Sequence, residues 1–164
     1  MDESDAGSAQ FVVRSLTEPD ALAVAAWHYT GEYAFYDWTA DPDDLADLLD
    51  RTGWGDKYFA VDAPGHGLAG FLAFTPEADA VEMGLGLRPD LTGRGSGVGF
   101  VLVGLEFAAQ RFGATDVVLR VAAFNTRAIT VYQRTGFEVV EDYVHETNGG
   151  FHPFVLMRRT MRQS

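Results

Sequence analysis

The sequence contains no cysteine, and it has a single lysine, Lys57, among twelve basic residues. Without cysteine the chain has no disulfide framework, no thiolate metal site and no cysteine nucleophile, so any covalent intermediate would have to form on another residue type. Histidine is also sparse. The four histidines, at positions 28, 66, 145 and 152, lack metal-ligand spacing, and we therefore expect no metal site.

Long apolar runs are absent as well. The longest run, from Val98 to Leu105, contains two glycines and ends at Glu106, so it is too short to cross a bilayer. No basic segment followed by an apolar stretch opens the chain. We therefore expect a cytoplasmic protein without a membrane partner.

Basic residues are half as numerous as acidic ones, which gives the chain a net charge of −12. Nucleic acids favour proteins with a basic stripe, so we expect no nucleic-acid partner. The acidity resembles that of proteins from halophiles, although an arginine-favouring, GC-rich genome explains the shortage of lysine nearly as well. A solvated acidic surface without a partner is the interpretation we favour.

The length of 164 residues and an apolar content of 47% suit one globular domain. Residues 1–9, MDESDAGSA, are acidic or small, and we expect them to form a flexible tail. The single domain then extends over residues 10–164.

Hydrophobic periodicity predicts an α/β fold with a mostly antiparallel sheet and at least one strand-helix-strand crossover. The second predicted helix has Leu45, Leu48 and Leu49 as its apolar face, and Asn125 is the expected cap of the last helix. The predicted strands cover residues 10–16, 57–63, 67–75, 80–88, 116–123, 137–146 and 151–159, and the predicted helices cover residues 17–29, 39–54, 98–112 and 125–136.

The stretch TGRGSGVG, which we call the glycine loop, places glycine at every second position before an apolar helix. The first turn of a helix has unpaired N–H groups and the positive end of the helix dipole, so it attracts anions such as phosphates. Side chains at Gly95, Gly97 or Gly99 would hold a diphosphate away from those donors, while Arg94 and Ser96 supply a charge and a hydroxyl. A flexible turn with close helix packing is the alternative.

Two common nucleotide-binding motifs do not fit the glycine loop. The P-loop requires Gly-Lys-Ser/Thr at its end, and the dinucleotide fingerprint requires Gly-x-Gly-x-x-Gly within an N-terminal βαβ unit. Neither pattern occurs here. The loop therefore predicts a different anionic cofactor.

Two segments share their spacing with one known family. In LRPDLTGRGSGVG, Arg94, Gly97 and Gly99 follow a predicted strand and a proline; in NTRAITVYQRTGF, the pattern Asn-x-x-Ala-x-x-x-Tyr-x-x-x-Gly-Phe begins at Asn125 and has its tyrosine at Tyr132. Both resemble signatures of the GNAT superfamily of N-acetyltransferases, the first being its acyl-CoA diphosphate loop. The resemblance implies a GNAT-like fold, with a central mixed, mostly antiparallel sheet of about seven strands flanked by about four helices.

The resemblance also implies a reaction, the direct transfer of an acetyl group from acetyl-CoA to a primary amine in a ternary complex. Tyr132 occupies the family's general-acid position and would protonate the departing thiolate; packing of its ring on the sheet is the alternative. A noncatalytic acyl-CoA-binding sensor is the alternative function. The cofactor contacts that the resemblance implies are Arg94, Gly95, Ser96, Gly97, Val98, Gly99 and Asn125, together with backbone groups of Leu85 and Leu87 near the thioester carbonyl.

The base that removes the amine proton is less clearly marked. Some family members carry a glutamate on the strand before the asparagine, but this chain has Arg120 among apolar residues there. Glu82 shares one face of its predicted strand with Gly84 and Gly86, which form a strip without side chains where a ligand could lie. We expect Glu82 to act as the base, with an ordinary solvent-facing glutamate as the alternative.

The acceptor is expected to contact the aromatic segment between the first two helices. Tyr33, Tyr36 and Trp38 are our candidates, because aromatic rings with nearby acids hold cationic amines; a hydrophobic lid over the core is the alternative. The acceptor is a small molecule or a peptide amine, and a protein N-terminus, an amino acid, a polyamine and an aminoglycoside all remain open. Homodimer formation remains open.

Overall fold

The structure is a computed structural model that describes residues 11–161. The predicted acidic tail at residues 1–9 lies outside the described residues. No helix of the described part is long and apolar enough to cross a membrane. The strands are β1 Val12–Ser15, β2 Tyr58–Ala63, β3 Gly67–Pro76, β4 Val81–Leu87, β5 Asp116–Ala122, β6 Glu138–Thr147 and β7 Gly150–Thr160, and the α-helices are α1 Glu18–Ala25, α2 Pro42–Leu49, α3 Gly97–Phe112 and α4 Thr126–Arg134.

All seven strands form one sheet in the order β1-β2-β3-β4-β5-β7-β6. Neighbouring strands are antiparallel except β4 and β5, which are parallel and are joined through α3. This arrangement confirms the predicted mixed, mostly antiparallel sheet and its crossover around the glycine loop.

The two parallel strands separate soon after they pair. Val81 pairs with Val117 and Glu82 with Val118, and the described residues form no further pairs between these strands. β4 continues to Leu87 along β3 alone, while β5 continues along β7 alone. A wedge-shaped opening, which we call the cleft, therefore lies between the two halves of the sheet.

Each face of the sheet is covered by a different pair of helices. On one face, Phe100, Val101 and Leu105 of α3 join the larger apolar core, which also includes Met83 and Leu119 of the sheet. On the other face, α1 and α2 bury a smaller apolar cluster. The cleft opens between these layers, so helices from both faces can contribute to it.

Two predicted helices are shorter than the sequence suggested. The first ends at Ala25 rather than near Tyr29, whose backbone N–H turns away to the carboxylate of Asp37 at 2.8 Å. The second ends at Leu49, because Asp50 leaves the helical conformation and its carboxylate accepts a hydrogen bond from the Thr52 backbone. Leu49 is 42% exposed, so its predicted place on the buried face was wrong.

Candidate active site

The cleft exposes the unpaired edge of β4. Arg88, directly after this strand, donates its backbone N–H to Ala69 of β3 at 2.7 Å. Peptide groups alternate in direction along a strand, so those of Leu85 and Leu87 point away from β3 and into the cleft. The Leu87 carbonyl accepts a hydrogen bond of 2.7 Å from the Tyr29 hydroxyl on that side. The backbone groups expected near the thioester thus face the open side of β4.

The strip without side chains on β4 is shorter than expected. A side-chain carbon added at Gly86 would lie 2.5 Å from the Phe71 ring, so this ring already covers the glycine. At Gly84 the corresponding position lies 3.6 Å from the side chain of Ala73. The part of the strip that remains open is therefore the end near Gly84 and Glu82.

Glycine occupies positions of the glycine loop for more than one structural reason. Gly93 and Gly95 have φ angles of +73° and +82°, a conformation that other residues adopt only with strain. Gly97 begins α3 close to α4, because an added side-chain carbon would lie 3.4 Å from Val131. Ser96 precedes α3 without a side-chain cap, so the first N–H groups of this helix are available to an anion.

The cation nearest to the cavity side of the glycine loop is Arg127, which the sequence analysis missed. Arg94 is exposed, and it is not among the residues that line the cavity. The guanidinium of Arg127 lies 3.7 Å from a side-chain carbon built at Gly93, and it stacks 4.4 Å from the centre of the Tyr33 ring. A basic residue in the first turn of the helix after the Asn125 cap was the available signal.

Tyr132 reaches the cavity from α4. Its ring packs edge-on against Phe137, with ring centres 6.0 Å apart. Burial raises the pKa of Tyr132 well above its ordinary value, and interaction with Tyr36 raises it further. The phenol therefore stays protonated at neutral pH, as a proton donor must.

Asn125 makes two contacts with its side chain. Its Oδ1 accepts from the Ala128 backbone at 3.1 Å, which confirms the expected cap of α4. Its Nδ2 donates to the Tyr36 hydroxyl at 3.2 Å. Tyr36, a candidate acceptor residue, is thereby held beside the helix that carries Tyr132.

Glu82 and Arg120 face each other across the narrow end of the cleft. Arg120 donates from Nε to Glu82 at 2.6 Å and from Nη2 to Glu77 at 3.3 Å. The arginine stands on the strand where we noted the absence of a glutamate, and it pairs with the glutamate we assigned as the base. The proposed base is therefore ion-paired rather than free.

The segment from residue 29 to residue 41, which we call the strap, crosses the cleft. One end is held to β4 by the bond between Tyr29 and Leu87. At the other end Asn148, in the turn between β6 and β7, donates to the Phe35 carbonyl at 2.7 Å and from its backbone to Asp41 at 3.1 Å. The strap is thus fastened to both halves of the sheet.

Trp38 lies on the inner side of the strap. Its ring packs edge-on against Tyr58 and Phe71, with ring centres 6.2 and 5.4 Å away. It also packs against the smaller apolar cluster, as the hydrophobic-lid interpretation expects. Tyr33 stacks under Arg127, so the three candidate acceptor residues have different surroundings.

A cavity of about 720 Å³ connects these features. It is lined by residues of the glycine loop and by Arg127, Tyr36 and Tyr132. Residues from α2 and β6 line it as well, among them Asp44 and His145. One space therefore joins the uncapped start of α3, two phenols and acidic side chains.

One protein family matches most of the chain. A family model described as "Acetyltransferase (GNAT) domain" matches residues 10–138. The chain belongs to the GNAT acetyltransferase family. The resemblance stated from the two motifs is thereby confirmed.

Characterised relatives of this GNAT chain match only in part. It is 42% identical to the mycothiol acetyltransferase of Saccharomonospora viridis over 65 residues. This matched segment covers 40% of this chain and 21% of that protein. The match to the mycothiol acetyltransferase of Mycobacterium avium is 42% over 59 residues, or 32% of this chain and 19% of that protein. The chain spans about a fifth of the length of these relatives.

Solved GNAT structures match nearly the whole chain. The spermidine N-acetyltransferase of Vibrio cholerae in complex with CoA and spermine has a TM-score of 0.75 and 20% identity, over 93% of this chain and 96% of that one. A GNAT acetyltransferase from Bacillus anthracis has a TM-score of 0.71 and 16% identity, over 92% and 95%. At these identities the likeness establishes the shared fold.

Proposed function

We propose that the protein is an acetyl-CoA-dependent N-acetyltransferase that transfers acetyl directly to a primary amine in a ternary complex. The observation that carries this proposal is the single cavity that joins the glycine loop, the open edge of β4 and Tyr132. An acyl-CoA needs an anion site at one end and a thioester site at the other. The uncapped terminus of α3 with Arg127 fits the first, and the backbone of Leu85 fits the second.

Each group has one task in the proposed reaction. The glycine loop and Arg127 bind the diphosphate, while N–H groups of β4 stabilise negative charge on the thioester oxygen. Tyr132 gives a proton to the departing thiolate, whose ordinary pKa of about 8.5 is close enough to neutral pH for protonation to help. Glu82 takes the proton that the attacking amine loses.

We propose that the acceptor is a cationic amine. Asp37, Asp47 and Glu82 each have their own basic partner, respectively His28, Lys57 and Arg120. Within residues 11–161 the carboxylate of Asp44 has no such ion pair. Burial raises the pKa of Asp44, the charges of Asp41 and Asp47 raise it further, and His145 and Lys57 oppose the rise. The three carboxylates together would stabilise an added cation. Spermine in the complex of the Vibrio cholerae enzyme is an amine of this kind.

The alternative is a sensor that binds acyl-CoA without turnover. The ion pair between Glu82 and Arg120 favours it, because the carboxylate is already engaged by a guanidinium. The intact Tyr132 and Asn125 favour the enzyme. The two functions differ in whether CoA is released when an amine is added.

Calorimetric titration with CoA and acetyl-CoA, followed by a thiol-release assay, tests the proposal. The amines should include spermidine, a free amino acid, an aminoglycoside and a peptide with a free N-terminus, each in low and high salt. Binding of acetyl-CoA together with thiol release in the presence of the polycationic amines supports the proposed acceptor. Thiol release with the amino acid alone contradicts it. Binding without release on any amine supports the sensor, and absence of binding rejects both functions.

A further inference from the structure

The side chain of Asn125 has a fixed orientation. Its oxygen accepts the backbone N–H of Ala128 and so caps α4, which directs the amide nitrogen to the Tyr36 hydroxyl. A backbone N–H cannot accept a hydrogen bond, so the reversed amide would lose the cap. The direction of the contact with Tyr36 therefore follows from the cap. Asn125 donates, and the oxygen of Tyr36 accepts.

The hydroxyl proton of Tyr36 is consequently free to point elsewhere. A phenol both donates and accepts, and its accepting side is occupied by Asn125. The ring is held edge-on by Phe35 and at a tilt by Phe124, with ring centres 5.5 and 6.0 Å away. Tyr36 lines the same cavity as Tyr132 and the open edge of β4. Its proton is thus available to a group within that cavity.

The two tyrosines of the cavity differ in what stabilises their ionised forms. Burial raises the pKa of both phenols. In Tyr36, the hydrogen bond from the Asn125 side chain opposes this rise, while interaction with Tyr33 adds to it. In Tyr132, no hydrogen bond opposes it, and Tyr36 raises the pKa further. The phenolate left after proton donation is therefore better stabilised at Tyr36.

We propose that Tyr36 is a second proton donor to the departing thiolate and acts beside Tyr132, an inference that rests on the proposed acetyltransferase function. The amine nitrogen forms a bond to the thioester carbonyl carbon, and the carbon–sulfur bond breaks with its electron pair on sulfur. The sulfur takes a single proton, from Tyr36 or from Tyr132, and leaves as a thiol. The proton lost by the amine passes through Glu82 and water and restores the phenol. Tyr36 is then a catalytic residue rather than part of the acceptor wall.

Two substitutions separate this role from packing. Tyr36→Phe removes the proton and keeps the ring. Asn125→Asp keeps a capping oxygen for α4 and replaces the donor to Tyr36 by an acceptor, which would draw the Tyr36 proton out of the cavity. Tyr143→Phe is the matched control, because it also removes one phenol oxygen, Tyr143 is not among the cavity-lining residues, and the variant keeps the ring, whose centre lies 5.7 Å from the Arg120 guanidinium.

Turnover with acetyl-CoA and the best amine should fall roughly tenfold to a hundredfold in Tyr36→Phe and in Asn125→Asp. CoA affinity and melting temperature of Tyr36→Phe should match those of the control. The loss should shrink above pH of about 9, where the thiolate is stable without a proton. The titratable groups that face Tyr36 are Tyr33 on the strap and Tyr132 on α4. Full turnover in Tyr36→Phe, or an equal loss at every pH, would overturn the proposal.

A titration of tyrosinate absorbance tests the hydrogen-bond geometry without turnover. The difference between the wild-type curve and the Tyr36→Phe curve gives the pKa of Tyr36, and the same difference in an Asn125→Asp background should give a higher value. An unchanged pKa would overturn the assignment of Asn125 as the donor. If the wild type binds CoA but releases no thiol with any amine, the acetyltransferase function fails, and the Tyr36 proposal fails with it. In that case the tyrosinate titration still shows whether Asn125 donates a hydrogen bond to Tyr36.

Discussion

Arg120 and Glu82 meet at the narrow end of the cleft, with 2.6 Å between Nε and Oε1. The pair stands where β4 and β5 begin to separate, since Glu82 is the last residue of β4 that pairs with β5. The side chains of Glu82 and Arg120 are 30% and 36% exposed, so water still reaches both. The proposed base is therefore held by an arginine and remains in contact with water.

Glu82→Gln tests this role through its pH dependence. A primary amine has a pKa of about 10 and is mostly protonated at neutral pH, so a base matters more as the pH falls. We expect the rate to fall about tenfold at neutral pH and to recover as the pH approaches the pKa of the amine. Rate profiles over pH measure this. Glu77→Gln, which removes the other carboxylate bonded to Arg120, is the control. An equal loss in both variants would contradict the role of Glu82.

Arg127→Ala should weaken CoA binding more than Arg94→Ala does. Arg127 lies against the glycine loop and lines the cavity, whereas Arg94 is exposed and is not among the lining residues. A charge-assisted contact with a phosphate is worth about 1.5–3 kcal/mol, so we expect a loss of roughly tenfold or more. Calorimetry over a salt series provides the measurement. A larger loss in Arg94→Ala would return the phosphate role to the residue that the motif named.

Gly95→Ala tests whether the backbone of the glycine loop approaches the cofactor. No atom lies within 4 Å of the added carbon, so the cost to folding is the strain at φ of +82°, about 1–2 kcal/mol. We expect CoA affinity to fall beyond the loss of stability. Gly55→Ala carries a similar strain at a φ of +44°, again with no atom within 4 Å, and is not among the cavity-lining residues. Equal CoA affinity in the two variants would show that the loop does not contact the diphosphate.

Asp41→Ser tests the attachment of the strap to the far half of the sheet. Serine also caps α2 well, but its shorter side chain cannot reach Thr147 and Asn148, which now donate to Asp41 at 3.0 and 3.1 Å. We expect KM for the acceptor to rise several-fold while CoA affinity stays unchanged. A rise in the Kd for CoA with an unchanged acceptor KM would contradict this division of the cavity.

The same carboxylate predicts a pH effect. The backbone N–H groups of Asn148 and Asp44 lower the pKa of Asp41 below its ordinary value. A lowered folded pKa means that the attachment is fully formed above the unfolded pKa of about 4 and is lost as the pH falls through the folded value. The ratio of acceptor KM between Asp41→Ser and the wild type should therefore stay constant down to about pH 4 and should fall towards one below it, where the wild type also loses the attachment.

Local features of the site were predictable from the sequence. The cap at Asn125 and the end of α3 at residue 112 depend on residues close in the chain, and the structure places both where the sequence suggested. The contact between Tyr36 and Asn125 joins residues 89 positions apart. No local pattern contains such a pair, and the same holds for the stacking of Arg127 on Tyr33.

Some wrong predictions have local causes that only the structure reveals. Leu49 has the right spacing for the buried face of α2, but the helix ends there and leaves the residue exposed. Gly86 has no side chain because Phe71 from the neighbouring strand fills the space. Sequence spacing identifies which face a residue occupies, whereas the neighbouring strands and the end of the helix decide what covers that face.

The central claim is direct transfer of acetyl from acetyl-CoA to an amine, and rapid mixing of the wild-type protein with acetyl-CoA tests it most directly. Free thiol is followed first without an amine and then after the amine is added. We predict no thiol release before the amine, followed by release in step with the acetylated amine. A burst of thiol equal to the protein concentration before any amine is present would indicate an acetylated enzyme and contradict direct transfer. Absence of thiol release with all of the amines would contradict the proposed acetyltransferase activity.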